Sequence, residues 1–175
     1  LVAQRRGLEF EASPADAVMA RERGPDARVI LAKPLTFMNR SGDAVGTLAR
    51  YFRFDHAEIL LVVDDVNLSL GRLRARPDGF DGGHNGLRSV IDELGTDAVP
   101  RLRLGVGRGD TSRGLAGYVL SNFEREEEEA AAKMVEAAAD AVDLFIEQGM
   151  TQVMNRFNAG PDSPAAGQEN ASESK

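Results

Sequence analysis

Three short polar segments of the sequence contain residue types that suit the chemistry of an ester or a peptide group. They read K-P-L-T-F-M-N-R-S-G at 33–42, V-D-D-V-N-L at 63–68 and G-G-H-N-G-L at 82–87. An asparagine side chain offers an amide donor and a carbonyl acceptor together, which is enough to hold a peptide group or to polarise an ester carbonyl. A single loop asparagine is more often a turn or cap residue, so no one segment identifies a site alone.

Asp64 has two possible roles in such a site. It either caps a turn after a strand, or it orients an imidazole base and stabilises the imidazolium that forms when the base takes a proton from water. The second role requires a histidine, and the sequence has two. His56 lies in a polar turn before the strand, which favours a structural role. His84 is the better candidate, although a histidine at the start of a helix also bonds to the backbone.

The strand patterns place these segments at strand ends. Residues 28–31 predict a short buried strand that Pro34 stops, because proline cannot donate to a sheet ladder. Residues 59–63 are apolar on both faces, which is typical of a central parallel strand. That strand ends at Asp64 and Asp65, and ligands of open α/β sheets gather at such carboxyl ends. Residues 71–77 and 101–107 alternate polar with apolar, which predicts an antiparallel portion with its arginines on one face.

The helical patterns complete an α/β domain. Apolar spacing predicts helices over residues 1–6, 41–52, 85–94, 124–148 and 150–157, with Ser41 as an N-cap and Gly95 as a C-terminal stop. Strands that alternate with helices predict a three-layer αβα fold with a mostly parallel mixed sheet. We expect one domain over residues 1–157. From Asn158 the composition turns to Gly, Pro, Ser and Gln, which predicts a disordered tail over 158–175.

Composition excludes several classes of function. The sequence has no cysteine, so a disulfide framework and a thiolate site are ruled out. No stretch approaches the roughly 20 apolar residues that span a bilayer, and we expect a cytoplasmic protein without membrane contact. The glycine-rich residues 79–86 lack the lysine of a Walker phosphate-binding loop and the glycine spacing of a dinucleotide-binding loop, so we do not expect them to bind a nucleotide cofactor. No recognised metal-ligand spacing is present, so no cofactor is expected.

The net charge of −7 argues at first against a nucleic-acid partner, whose phosphates are bound by Lys and Arg. The distribution of charge changes that conclusion. Residues 70–113 hold eight arginines against six acids, a balance of +2, whereas residues 120–150 hold nine acids against two bases, a balance of −7. The acidity is concentrated in one predicted helix, and the middle of the chain is basic.

The three polar segments, in this order and spacing, resemble the bacterial peptidyl-tRNA hydrolases. The R-L-R-L-G-V-G and G-Y-V-L-S strands and the acidic helix extend the similarity to residue 157. The resemblance implies a monomeric, cofactor-free hydrolase that cleaves peptidyl-tRNA into peptide and free tRNA.

Residue roles follow from the same resemblance. Asp64 matches the aspartate that supports the family's catalytic histidine. Asn39 and Asn85 match asparagines that bind substrate around the ester, and Phe37 occupies the neighbouring aromatic position. Arg74 and Arg76 occupy basic strand positions expected to contact tRNA phosphate.

The beginning of the sequence departs from the family pattern. Members open with a strand, a G-N-P-G turn and a T-R-H-N segment that supplies the base, and residues 1–10 resemble the helix and loop that follow these. We therefore expect the base to lie in a segment before Leu1, because His84 matches a different family position. Two alternatives are a non-catalytic RNA-binding relative that has lost the base, and a hydrolase of another substrate. The second alternative would use His84 and Asp64, which requires their side chains to lie within hydrogen-bond reach.

Overall fold

Helices 41–52, 85–94 and 150–157 begin and end where the pattern of apolar residues predicts, whereas the other predicted elements are shifted or shortened and the strands over 11–12 and 17–21 were not predicted. The computed structural model describes residues 1–24, 29–109 and 115–158. The helices in these ranges are α1 (Val2–Arg5), α2 (Ser41–Phe52), α3 (Asn85–Leu94), α4 (Leu115–Val119), α5 (Glu128–Gln148) and α6 (Met150–Phe157). The strands are β1 (Glu11–Ala12), β2 (Ala17–Arg21), β3 (Ile30–Pro34), β4 (Leu61–Asp65), β5 (Leu73–Arg76) and β6 (Arg101–Gly105). Two short 3-10 helices span Met38–Arg40 and His56–Glu58.

The strands form two three-stranded sheets in the described part of the chain. One has the order β1-β2-β3 and is antiparallel throughout. The other has the order β4-β6-β5, with β4 parallel to β6 and β5 antiparallel to β6. The predicted antiparallel portion is therefore confirmed. The expectation of a mostly parallel sheet is wrong for the described strands, because only the β4–β6 pair is parallel.

Helices cover both faces of the β4-β6-β5 sheet, which confirms the three-layer α/β architecture. On one face, Leu73 and Leu102 pack with Met134 and Ala138 of α5 and with Val153 of α6. The other face has its own core, whose buried members are Leu61, Leu87, Val90 and Val99. Burying apolar side chains on both faces is the main source of the fold's stability. Residues 85–94 form a helix as predicted, and Gly95 ends it with a left-handed φ of 68°.

Four local expectations differ from the structure. Strand β4 lies at the edge of the described β4-β6-β5 sheet rather than in its centre, and Val62 is 48% exposed, so the apolar run 59–63 is not buried on both faces. Ser41 lies inside α2 and its hydroxyl donates to the Met38 carbonyl oxygen, so it is not an N-cap. Strand β3 ends at Pro34 as expected, but every one of its residues is half-buried or exposed, so it is not the buried strand that the pattern predicts. The G-Y-V-L-S stretch runs out of α4 and is a helix end rather than a strand.

Helices α2 and α3 approach each other closely at Gly42. A Cβ added at Gly42 would lie 2.1 Å from the backbone oxygen of Ser89, and the Gly42 amide donates to the Ser89 hydroxyl at 2.9 Å. Such a contact leaves no room for a side chain. The start of α2 and the middle of α3 are thereby held in a fixed relation.

The acidic helix α5 is partly neutralised by the N-terminal helix. Arg5 pairs with Glu136, Asp140 and Asp143, and Arg6 pairs with Asp143. These contacts attach α1 to the surface of α5. Some acids of this helix therefore form ion pairs within the fold and are not simply exposed to solvent. No helix in the described ranges has both the length and the apolar character needed to cross a membrane.

Candidate functional site

Asp64 stands at the carboxyl end of β4, where the strand pattern placed it. Its carboxylate is half-buried, and Oδ1 lies 3.7 Å from Nε2 of His84. That separation is longer than a well-formed hydrogen bond. The structure therefore brings together the two titratable residues that the sequence singled out, and it places them beside Asn85.

His84 is the N-cap residue of α3. Its Nδ1 accepts hydrogen bonds from the backbone amides of Gly86 and Leu87, both at 3.1 Å. A nitrogen that accepts carries no proton, so the neutral ring has its proton on Nε2, the atom that faces Asp64. Both ring nitrogens are thus occupied, one by the helix start and the other by the carboxylate.

The neighbouring imidazole also affects the charge of Asp64. Interaction with His84 lowers the pKa of the Asp64 carboxyl below its ordinary value, against burial, which acts to raise it. The site therefore holds an ionised carboxylate at neutral pH. Such a carboxylate can orient and stabilise an imidazolium, which is one of the two roles that the sequence allows for Asp64.

Asp65 has a structural role next to this site. Its Oδ1 accepts from the Asn67 amide at 2.8 Å, and its Oδ2 accepts from Arg103 at 3.1 Å. Asn67 in turn accepts from Arg108 through its side-chain oxygen at 2.8 Å. These bonds fix the turn that follows β4. The two adjacent aspartates therefore differ in role: Asp64 is partly exposed, whereas Asp65 is buried and stabilises the turn.

The first polar segment reaches the site through the short 3-10 helix before α2. Asn39 is in this helix and is exposed, and Phe37, immediately before it, is 80% exposed. Met38 packs against the start of α3, because a Cβ added at Gly86 would lie 2.5 Å from the Met38 sulfur. The turn that carries Asn39 therefore abuts the turn that carries Asn85.

Asn85 is the first residue of α3 and is exposed. No hydrogen bond from its side chain to another described residue is present, and the same is true of Asn39. Polar side chains left free beside an ionised carboxylate are available to bind a ligand. Asn85 follows His84 directly, so the contacts of His84 also fix the position of the Asn85 backbone.

Arg74 and Arg76 are exposed on β5, on the face opposite the buried Leu73 and Ala75. The register pairs Arg74 with Arg103 and Arg76 with Arg101. Cross-strand partners lie on the same face of a sheet, so the expectation that these arginines share a face is confirmed. The face is strongly basic and carries the exposed Arg74 and Arg76 at the margin of the sheet.

Three residues near the site were missed or misplaced by sequence reasoning. Arg101 is buried and Arg103 is largely so, although both were counted only as basic strand residues. The side chain of Asn158 bonds to both backbone groups of Ala75, so it belongs to the fold and not to the predicted tail. The rest of that tail, 159–175, lies outside the described residues. The R-L-R-L alternation puts both arginines on the face opposite the buried leucine, which by itself indicates exposure and gives no signal of their burial.

No group of three or more His, Cys, Asp or Glu side chains is arranged to hold a metal ion within residues 1–24, 29–109 and 115–158. The described chemistry consists of an ionised carboxylate, an imidazole, two free amides and a basic strand face. Together these groups can bind a polar carbonyl compound and support the deprotonation of water.

A family model described as peptidyl-tRNA hydrolase matches residues 1–166. A peptidyl-tRNA hydrolase of Synechococcus sp. (strain JA-3-3Ab) is 47% identical over 136 residues, which are 75% of this chain and 60% of that protein. One from Chloroflexus aurantiacus (strain ATCC 29366 / DSM 635 / J-10-fl) is 41% identical over 158 residues, 90% of this chain and 84% of the relative. Among solved structures, the crystal structure of peptidyl-tRNA hydrolase from Acinetobacter baumannii aligns with a TM-score of 0.81 and 28% identity, covering 90% of this chain and 81% of that one.

Proposed function

The chain belongs to the peptidyl-tRNA hydrolase family, and we propose from this premise that it hydrolyses the ester that joins a peptide to tRNA. The products are the free peptide and a tRNA that can be charged again. The observation that carries the proposal is the contact between Asp64 and His84 at the start of α3, directly beside the free amide of Asn85.

Asp64 acts in this proposal as the group that supports the catalytic base. The base takes a proton from water, the hydroxide attacks the ester carbonyl carbon, and the bond to the tRNA ribose oxygen breaks. The ionised Asp64 stabilises the positive charge that the base acquires. Loss of the peptide chain as a carboxylic acid and return of the proton to the ribose oxygen complete the balance.

His84 is not the base in this proposal, because its two nitrogens are already committed. Accepting a proton at Nδ1 would break the two bonds that begin α3, and Nε2 already carries a proton. His56 lies in the short 3-10 helix before β4, at the end of the strand opposite Asp64. We propose that the part of Asp64 is to support a base, and that free imidazole supplied in solution can act as that base.

Substrate binding is assigned to the surrounding polar groups. Asn39 and Asn85 bind the carbonyl groups next to the ester, and the exposed ring of Phe37 contacts the end of the substrate beside them. Arg74 and Arg76 contact tRNA phosphates, where positive charge serves affinity more than sequence reading. We further propose that the protein acts as a monomer in the cytoplasm, where its substrate forms.

Chemical rescue tests the proposal with the 175-residue chain. Hydrolysis of an N-blocked aminoacyl-tRNA is measured with increasing imidazole, for the parent and for Asp64→Asn. We expect imidazole to accelerate hydrolysis by the parent more than in protein-free buffer, and the Asp64→Asn chain to lose that gain. Binding of the tRNA without any hydrolysis, with or without imidazole, would instead support a non-catalytic RNA-binding role.

A further inference from the structure

Arg101 is a charged side chain in an interior position. It is 1% exposed and is the largest fully buried side chain in the described part of the chain. Burial is the first cause that lowers its pKa from the ordinary arginine value, and the nearby charge of Arg103 adds to the effect. Arginine keeps its proton under such conditions, so a full positive charge is held under the surface beside the site.

The guanidinium of Arg101 is satisfied by backbone carbonyl oxygens alone. It donates to Val99 at 2.9 and 3.0 Å and to Asp97 at 2.8 Å, which both lie after α3. It also donates to the carbonyls of Gly79 and Phe80, which both lie before α3. Within the described residues no carboxylate pairs with it.

These contacts close the segment that contains α3. The carbonyls before the helix belong to the glycine-rich loop, and those after it belong to the connection into β6, so one side chain joins the two ends of residues 79–99. A backbone bond from Gly79 to Asp97 at 3.2 Å lies beside it. The helix between these ends begins at Asn85, immediately after His84.

Arg103 extends the same connection toward the aspartates. It lies two residues along β6 on the same face, and it donates to the Phe80 carbonyl at 3.2 Å and to the Asp81 carbonyl at 3.4 Å. The Phe80 oxygen is thus shared by both arginines. Since Arg103 also binds Asp65, the loop before α3 is linked to the residue that follows Asp64.

We propose that Arg101 is a positioning residue for hydrolysis: its buried guanidinium holds the glycine-rich loop so that His84 and Asn85 are presented to Asp64. It contacts neither the substrate nor the reacting atoms. The loop contains glycines with positive φ at 79, 82 and 83, and glycine loses more conformational freedom on folding than any other residue, so holding this loop requires bonds from outside it. The planar guanidinium has five N–H donors in a fixed geometry and can hold carbonyls on two sides, whereas the compact ammonium of lysine has three donors and lacks that geometry.

The test compares Arg101→Lys and Arg101→Gln with the parent chain. The first readout is the ¹⁵N NMR signature of the His84 ring, which reports whether Nδ1 accepts and Nε2 carries the proton. We expect a single Nε2-protonated form in the parent and a mixture of forms in both variants. This readout does not depend on the proposed function, so it stands even if the parent chain hydrolyses nothing.

The second readout is kinetic and rests on the proposed function. We expect kcat to fall by about a hundredfold in Arg101→Gln, since a displacement near 1 Å has that effect, with partial recovery in Arg101→Lys. The salt dependence of KM should stay unchanged, because a buried guanidinium does not contact phosphate.

Val153→Ala is the matched control for lost stability. Val153 is fully buried in the core on the opposite face of the sheet, against α5, so its truncation lowers Tm without reaching the loop. The control should keep the parent His84 signature and kcat. The proposal is overturned if both Arg101 variants keep the parent signature, or if Val153→Ala lowers kcat as much as they do at equal loss of Tm. If Arg101→Gln does not fold, Arg101→Lys, which keeps the charge and the aliphatic stem, decides the question.

Discussion

Asp64 and His84 meet through one pair of atoms, Oδ1 and Nε2, at 3.7 Å. The opposite ring nitrogen of His84 is bound by the first amides of α3. The direction of the imidazole is therefore set by the helix, and the aspartate faces a donor rather than a potential base. This arrangement leaves Asp64 ionised and one of its oxygens available to another group.

The stability of the protein should depend on Asp64 in acid. Its pKa in the folded state is lowered by His84, so the carboxylate contributes stability above its unfolded-state pKa of about 3.9 and loses that contribution as the pH falls through the lower folded value. Urea unfolding of the parent and of Asp64→Asn should show a difference that is constant above about pH 5 and shrinks steadily as the pH falls below that. Asp92→Asn, which removes an exposed carboxylate from α3, controls for the loss of one charge. A difference that grows as the pH falls would contradict the assignment.

Asp64→Asn should also remove most of the hydrolysis. The amide keeps the shape of the side chain but cannot stabilise the charge on the base, so we expect a fall in kcat of about 10²–10⁴-fold. Rates are measured with N-blocked aminoacyl-tRNA in the presence of imidazole, at a concentration at which the parent hydrolyses the ester. Asp92→Asn should keep the parent rate. Equal rates for the parent and Asp64→Asn would remove Asp64 from the mechanism.

Asn85 should be needed for activity but not for folding. Its side chain is exposed and bonds to no described residue, so Asn85→Ala should change the free energy of unfolding by less than about 0.5 kcal/mol. Loss of an amide that polarises the ester should lower kcat/KM by about 10²–10³-fold. Asn122→Ala, another exposed asparagine, should change neither quantity. A large loss of Tm in Asn85→Ala would show a structural role instead.

Arg74 and Arg76 should affect binding through charge alone. Replacing either by alanine should raise KM and reduce the slope of log KM against log salt by about one, because one phosphate contact is lost. The value of kcat should change little. Arg125→Ala removes an exposed charge from the segment before α5 and is the matched control. An unchanged salt slope in both β5 variants would place the tRNA elsewhere.

The glycines of α2 provide a paired test of the α2–α3 contact. Gly42→Ala should lower the free energy of unfolding by about 1–3 kcal/mol, because the new methyl group meets the backbone of Ser89. Gly46→Ala places a methyl group against the Glu93 side chain, which can move away, so its cost should be offset by the higher helix propensity of alanine. Urea unfolding of both variants measures the difference. Similar destabilisation by both would mean that the helices do not meet as described.

The sequence predicted those features that depend on local pattern. Helix α2 was placed correctly, and so was α3 with Gly95 as its stop, because apolar periodicity and a left-handed glycine are local properties. Asp64 was placed at a strand end for the same reason. Burial of Arg101 could not be predicted, since it depends on a loop twenty residues earlier folding over the strand. The exposure of Val62 was also missed, because the apolar content of a strand does not reveal which of its faces are covered by other elements.

The residue that follows α6, Asn158, affects whether the edge of β5 can pair with another copy of the protein. The side chain of Asn158 accepts from the Ala75 amide at 2.7 Å and donates to the Ala75 carbonyl at 2.9 Å, so it occupies the groups that β5 would otherwise offer outward. An unoccupied strand edge is a template for intermolecular pairing and aggregation. One asparagine side chain therefore also protects the solubility of the fold, and it does so within the stretch of β5 that separates Arg74 from Arg76.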